Sequence, residues 1–320
     1  MKRSLLIWLG WLISFIFLYF VLRRLDWSSV LEAFNKVSLS TVIMMIGVYC
    51  LGFLIRSWRW KLLLPRRVSL SDSLGAVVIG YGANNVLPAR LGEILRAQAI
   101  GQRCQISRSV ALASILVERI FDGLVLVGLL YLGIRDSSIP IWASSVGILG
   151  LSVFGGALAL VALIALSRSL WDTKTNILPS LKLQNFLQQF AKGLTLVWRT
   201  PFLPLTILGL SLTIWLVEGI VFHIAIQAFE LKVPLTAPLF VMGLINLGIL
   251  VPTAPGYLGA FQYFGTLALS AWQVSSETAL ACIVLIHACQ YLPVTIWGLS
   301  YIPYFGFTSL TKLRSEVESN

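Results

Sequence analysis

Charge is scarce in this chain. Of its 320 residues only 12% are Asp, Glu, Lys or Arg, against roughly 25% in ordinary soluble domains, which excludes a conventional water-soluble core. Acid is scarcer still, with 13 Asp and Glu against 24 Lys and Arg, for a net charge of +11. Histidine occurs twice, at His223 and His287, and cysteine four times, at Cys50, Cys104, Cys282 and Cys289, with no CxxC spacing. Three of these cysteines lie in apolar runs and read as small buried hydrophobes. HExxH, GxSxG and Walker patterns are missing, so no metal site, nucleophile motif or cofactor is expected.

What the chain has instead is hydrocarbon. It is 58% hydrophobic with a mean hydropathy of +0.87, the composition of an all-α, multi-pass membrane protein. The positive charge is then explained by the positive-inside bias and by anionic lipid headgroups, not by nucleic acid. Membrane lipids are the expected partners, and nothing supports an oligomer. The basic start and apolar run to residue 22 show no small-residue cleavage site and end on Arg23 and Arg24, which reads as a retained first helix. Further runs long enough to span cover 39–55, 110–132, 141–166, 203–229 and 279–303, making six. Tryptophans near their ends, Trp8, Trp11, Trp58, Trp60 and Trp198, read as an aromatic belt. Ser152 and Gly156 form a small-xxx-small pair expected to let helices approach inside the monomer.

Two stretches, 74–99 and 235–272, are apolar but broken by Pro, Gly and Asn. If both are re-entrant hairpins and the N terminus is cytoplasmic, the inner segments hold 18 Lys and Arg and the outer ones 5. If the first stretch crossed the membrane, the balance would be 9 against 14, so the positive-inside rule favours re-entry. The first hairpin (73–108) then comes from the cytoplasm and the second (235–275) from the opposite side. The two share a pattern, Pro88-Ala-Arg-Leu-Gly92 against Pro255-Gly-Tyr-Leu-Gly259. Broken helices in oppositely oriented halves point to an inverted repeat with a site near midplane. A single membrane domain over 1–306 is expected, with an amphipathic cytoplasmic helix at 180–198, started by Pro179 and Ser180, and a polar cytoplasmic tail at 307–320.

Intramembrane ionisable residues are costly unless used, which marks the candidates. In the first hairpin Pro88 suits the opening turn of a helix that carries Arg90, Glu93 and Arg96 on one face. Free N–H groups at its start and two guanidinium groups suit a phosphate. Glu118, Arg119 and Asp122, three charges within five residues of one run, must face the bundle interior. They either brace the first hairpin, for instance through Arg90 or Arg96, or touch substrate. Glu218 and His223 in the fifth run, with His287 and Gln290 in the last, make up a candidate polar relay, His287 and Gln290 facing the second hairpin.

Asn84 with Leu87-Pro88-Ala-Arg90-Leu-Gly92-Glu93 and Arg96, then Glu118-Arg119 with Asp122, then Pro255-Gly256 with Gly259, resemble the flippase-like family built on the transmembrane domain of lysylphosphatidylglycerol synthases. The likeness spans roughly 40–300. It implies a bacterial or archaeal inner-membrane protein whose two-domain relatives move an aminoacylated phospholipid between leaflets. This chain resembles only the flippase part, so it is not expected to charge lipids with lysine. Gln262 stands where the family's third motif usually has Glu, and Tyr257 where Gly is frequent. The expected function is translocation of an anionic or phosphate-bearing lipid, with Asn84, Arg90, Glu93 and Arg96 at the phosphate. The alternatives are an intramembrane lipid-modifying or glycosyl-transfer component, or a structural partner of an envelope enzyme. Single cysteines placed near Arg103 and Arg135 should label from opposite sides of the membrane; labelling from one side would remove the re-entrant first hairpin.

Overall fold

The structure is a computed structural model that describes residues 2–23, 25–65, 68–88, 90–134, 140–166 and 181–305, with side chains from residue 8 and, in the last segment, from residue 184. The polar tail at 307–320 and the Pro179–Ser180 start signal lie outside the described residues. Twelve α-helices and no strand are found among the described residues. They are α1 (Lys2–Leu22), α2 (Trp27–Phe34), α3 (Leu39–Leu63), α4 (Leu70–Val86), α5 (Leu91–Cys104) and α6 (Arg108–Ile134), then α7 (Trp142–Leu166), α8 (Leu181–Thr195), α9 (Leu203–Ala228), α10 (Ala237–Gly248), α11 (Ala260–Leu269) and α12 (Ser276–Tyr301).

Each of the six expected apolar runs is a helix: α1, α3, α6, α7, α9 and α12. Four of them (α3, α7, α9 and α12) are long and apolar enough to cross a membrane, and α1 with α2 makes a fifth candidate bent by 89° at their junction. α6 fails only on charge. At 27 residues it is about 40 Å long at roughly 1.5 Å per residue, and Glu118 and Asp122 are buried.

The interhelix contacts sort the loops into two ends. At one end Arg199 donates to the carbonyls of Leu62 and Leu64 (2.5 and 2.9 Å), and Arg103 meets Asp72 and the Tyr304 hydroxyl, both at 3.1 Å. At the other, Lys36 pairs with Glu230 (3.1 Å), and Phe240 packs on Gly133 and Trp272. The described residues at and just after the ends of α3, α5, α8 and α12, which belong to the group taken as cytoplasmic by charge, therefore share one end of the bundle. Four of the 18 arginines and lysines in that count are not loop charges, however. Arg56, Arg59 and Arg96 are buried, and Arg90 sits at a hairpin tip.

Both broken stretches fold as antiparallel pairs. In α4–α5, Gly80 lies on Arg96 and Asn84 on Gly92, with Asp72 and Arg103 at the open end. In α10–α11, Gly248 packs on Phe264, with Phe240 and Trp272 toward the opposite end. The two pairs thus open toward opposite ends and present their tips to each other. Pro88 precedes the helix it was expected to open: α5 begins at Leu91, after a turn in which Leu91 N–H donates to Pro88 O at 3.3 Å.

Three surface expectations need correction. Trp60 is no belt residue; it is fully buried and donates to Ser114 Oγ at 2.9 Å. Ser152 and Gly156 are exposed on α7 and a Cβ on Gly156 would meet nothing, so this pair does not serve helix approach within the monomer. α8 is not wholly afloat, because Leu194 and Val197 are buried at its end, which packs on α6, while Phe186 and Leu187 stay exposed.

The α4–α5 contact requires Gly92. A Cβ there would stand 2.0 Å from the Gly80 carbonyl oxygen and 2.6 Å from Asn84 Oδ1. Overpacking costs about 1–3 kcal/mol even where side chains can yield, and here the obstacle is backbone. Gly92→Ala should lower the unfolding temperature in detergent by on the order of 5 °C or more. Gly155→Ala, where a Cβ meets nothing within 4 Å, should leave it unchanged.

Candidate functional site

The deepest charges sit where α3 meets α6. Glu118 and Asp122 are four residues apart and so share one face of α6. Their common partner is Arg59 of α3. Its Nε and Nη2 lie 3.3 and 3.1 Å from Glu118 Oε1, Nη2 donates to Asp122 Oδ2 at 3.0 Å, and Nη1 donates to Asp122 Oδ1 and to Ser211 Oγ. Trp215 Nε1 donates to the same Asp122 Oδ1 at 3.0 Å. Glu118 also holds Arg96 of α5 at 2.7 Å, and the Arg96 guanidinium lies 3.8 Å from the Trp60 ring centre. Nearly one turn before Arg59, Arg56 pairs with Glu218 of α9, which accepts from Gln290 Nε2 of α12 at 3.3 Å. Arg119 reaches Glu93 of α5 at 2.9 Å and stands 3.9 Å from Asp122. An unpaired buried ion costs several kcal/mol, so these pairs fix α3, α5, α6 and α9 relative to one another.

The hairpin tips meet beside this network. Arg90 Nη2 donates to Ile249 O at 3.1 Å, and its guanidinium lies 5.6 Å from the Tyr257 ring centre. Arg90 and Tyr257 are the third residues of the two five-residue patterns. Both have left-handed backbones (φ 55° and 60°), a conformation costly for residues with a side chain. α12 braces both tips: Asn85 Nδ2 donates to Thr295 Oγ1 (2.8 Å), Tyr291 Oη donates to Asn85 O (3.1 Å), and a Cβ on Gly256, φ 67°, would strike the Tyr291 ring at 2.4 Å. Ser14 of α1 accepts from Ala254 N–H at 2.8 Å.

The start of α5 is not an open anion cradle. Gly92 N–H donates to Asn84 Oδ1 at 2.8 Å, Leu91 N–H to Pro88 O and Glu93 N–H to Arg90 O at 3.1 Å. The available donors are side chains. A cavity of about 170 Å³ lies between the tips and the ion network, lined by Arg56, Arg90, Arg119, Asp122 and Glu218 with Tyr49, Tyr81, Asn84, Asn246, Tyr257 and Gln290. A second, of about 260 Å³, adjoins it along Leu87, Pro88 and 249–255; Asn84, Arg90 and Tyr257 line both.

The charge balance of this interior is uneven. Arg56, Arg59, Arg90, Arg96 and Arg119 face Glu93, Glu118, Asp122 and Glu218, and Arg90 alone among these arginines has no carboxylate partner among the described residues. Both oxygens of Asp122 and of Glu218 already accept hydrogen bonds, while Arg56 Nη1 is buried with no acceptor. A guanidinium has five N–H donors and no acceptor, so the cavity has donors to spare, while every carboxylate oxygen that lines it already accepts at least one hydrogen bond. Such a shell matches the chemistry of an anion.

Residues 7–298 match the family model described as the lysylphosphatidylglycerol synthase TM region. The chain belongs to that family. With its long apolar helices, membership makes it a multi-pass membrane protein. A UPF0104 membrane protein of Methanocaldococcus jannaschii is 26% identical over 67% of this chain and 90% of its own length. A second, of Methanothermobacter thermautotrophicus, is 22% identical over 89% and 91%. Glycosyltransferase AglD of Haloferax volcanii is 24% identical over 99% of this chain, which spans only 57% of AglD.

Within this TM-region fold the residues singled out in sequence separate. Arg90, Arg119, Asp122, Glu218, Asn84, His287 and Gln290 line the cavity. Arg96 does not; it is sunk against Trp60 and Glu118. Arg90, Glu93 and Arg96 do not pair with one another: Arg90 reaches Ile249 in the second hairpin, while Glu93 and Arg96 reach Arg119 and Glu118 of α6. His223 is half-buried and away from the cavity, five residues past Glu218 and hence on another face of α9. His287 is fixed as a neutral ring. Its Nε2 faces Gly256 O at 2.9 Å and must donate, so Nδ1 accepts from Gln262 Nε2 at 2.8 Å, and Gln262 Oε1 accepts from Gly259 N–H. Gln290 turns away from the second hairpin to Glu218. Arg56, Arg59, Tyr81 and Trp215 escaped sequence reasoning. The spacing of Arg56 and Arg59, three apart like Arg90, Glu93 and Arg96, was the available signal.

Removing Arg59 takes the close cation from buried Asp122 and leaves Glu118 with Arg96 alone. Breaking a buried ion pair costs about 3–5 kcal/mol, so Arg59→Met should abolish or severely reduce folded yield by size-exclusion chromatography. Arg90→Gln, which takes a cation from no carboxylate, should elute as the native protein.

Proposed function

We propose that this protein is a lipid translocase that moves an anionic, phosphate-bearing lipid between leaflets. The observation that carries the reading is the excess of guanidinium over carboxylate around a cavity where two opposed hairpin tips meet. Arg90, Arg56 and Arg119 would hold the phosphate, with Arg90 exchanging its bond to Ile249 O for one to the ligand. Glu93 orients Arg119 and Asn84 caps α5, while Arg59, Arg96, Glu118 and Asp122 keep the frame rigid. We place the end carrying 63–70, 104–108 and 301–305 in the cytoplasm because the loop charge lies there, and the membrane is then a cell inner membrane. The hairpins are re-entrant from opposite faces in this arrangement, as in inverted-repeat transporters whose broken helices meet at midplane.

A second reading, a component of lipid-linked glycosyl transfer, is favoured by the similarity to AglD. It would need a carboxylate free to act as acid or base, and Asp122 and Glu218, the two that line the cavity, have both oxygens engaged. Reconstituted vesicles with labelled phospholipids decide between them. Accelerated exchange of labelled lipid, lost at least about tenfold in Arg90→Gln, supports translocation, since a charge-assisted hydrogen bond contributes about 1.5–3 kcal/mol and about 1.4 kcal/mol is a factor of ten. Unchanged exchange across a broad headgroup panel with folded protein refutes it, and product formed from lipid substrates in detergent would favour the enzyme.

A further inference from the structure

We infer that the cavity selects a monoanionic phosphodiester whose headgroup is neutral and hydroxyl-bearing, and rejects aminoacylated or other amine-bearing headgroups. This rests on the translocation reading above and specifies its substrate class. Charge comes first. Five arginines against four carboxylates leave one positive charge, at Arg90, which matches the single charge of a phosphodiester; a phosphomonoester carries about 1.5 to 2 at neutral pH.

The rest of the lining decides the headgroup. An ammonium buried here needs a carboxylate, because an unpaired ion out of water is costly. Among the described residues only Asp122 and Glu218 line the cavity with carboxylates. Asp122 accepts from Arg59 through both oxygens and from Trp215, and Glu218 accepts from Arg56 and Gln290. Three of the lining rings already face an arginine: Arg56 lies 5.1 Å from the Trp215 ring centre and 5.6 Å from that of Tyr81, and Arg90 lies 5.6 Å from that of Tyr257. What the lining offers otherwise is neutral. Tyr49 and Tyr257 contribute hydroxyls, and Asn246 and Gln290, whose amide nitrogens are committed to Met242 O (2.9 Å) and Glu218, keep their amide oxygens as acceptors. Hydroxyl protons suit those acceptors, and hydroxyl oxygens suit the tyrosine O–H groups.

The test separates this inference from the reading beneath it. Binding of dioctanoyl phosphatidylglycerol, phosphatidylethanolamine and lysylphosphatidylglycerol to the purified full chain in detergent is ranked by native mass spectrometry, and flip of the same three headgroups is measured in vesicles. Phosphatidylglycerol should bind at least tenfold more tightly than either amine-bearing lipid, and Asn246→Asp, which adds a carboxylate to the lining, should narrow that ratio at least threefold. Equal or tighter binding of an amine-bearing lipid overturns the headgroup assignment even if every lipid flips. Preferential binding of phosphatidylglycerol with no flip of any lipid retains the assignment and overturns translocation. No binding of any of the three overturns both.

Discussion

An ion in hydrocarbon must be paired, and this fold is arranged around that constraint. Arg59 answers it for two carboxylates at once, joining α3 to Glu118 and Asp122 of α6, with Ser211 of α9 closing the contact. Because Glu118 has a second oxygen for Arg96, the same cluster also fastens the second arm of the first hairpin. α6 can therefore carry three charges within five residues and still pack inside a membrane bundle. Arg90, at the tip, is left with a backbone carbonyl and an aromatic face, both weaker partners than a carboxylate.

The tips are held by geometry as much as by charge. Two side-chain-bearing residues in left-handed backbone face each other at equivalent places in the two patterns, and such conformations persist only where surroundings over-determine them. α12 and α1 supply the surroundings, through Tyr291, Thr295 and Ser14. His287, neutral and bonded through both nitrogens, adds a polar pin from α12 to the second tip. Its role is to position the backbone of that tip.

Much of the frame was legible in the sequence. Six long apolar runs, two breaks rich in Pro, Gly and Asn, and buried charges on one run are local features, and local features survive without knowledge of neighbours. The site was legible only in part. Arg56 and Arg59 follow an apolar run that stops at residue 55, so they looked like loop charges, although α3 continues to Leu63. Trp60 looked interfacial for the same reason. Arg90 and Arg96 were indistinguishable by type and spacing, yet one faces a cavity and the other is locked behind it. The α5 N-terminus looked like an anion cradle until Asn84 and two turn carbonyls were found to fill it.

By itself the sequence determined the solvent this protein folds in, the long apolar helices, the places where the apolar stretches break and the family to which the chain belongs. Composition and periodicity carry those, because hydrocarbon tolerates little else. Only the tertiary structure decided which ions pair. Arg59 finds Glu118 across 59 residues and Arg56 finds Glu218 across 162, and at such separations partnership follows from how helices pack, not from spacing along the chain. That packing is also what leaves Arg90, out of five interior arginines, without a carboxylate of its own.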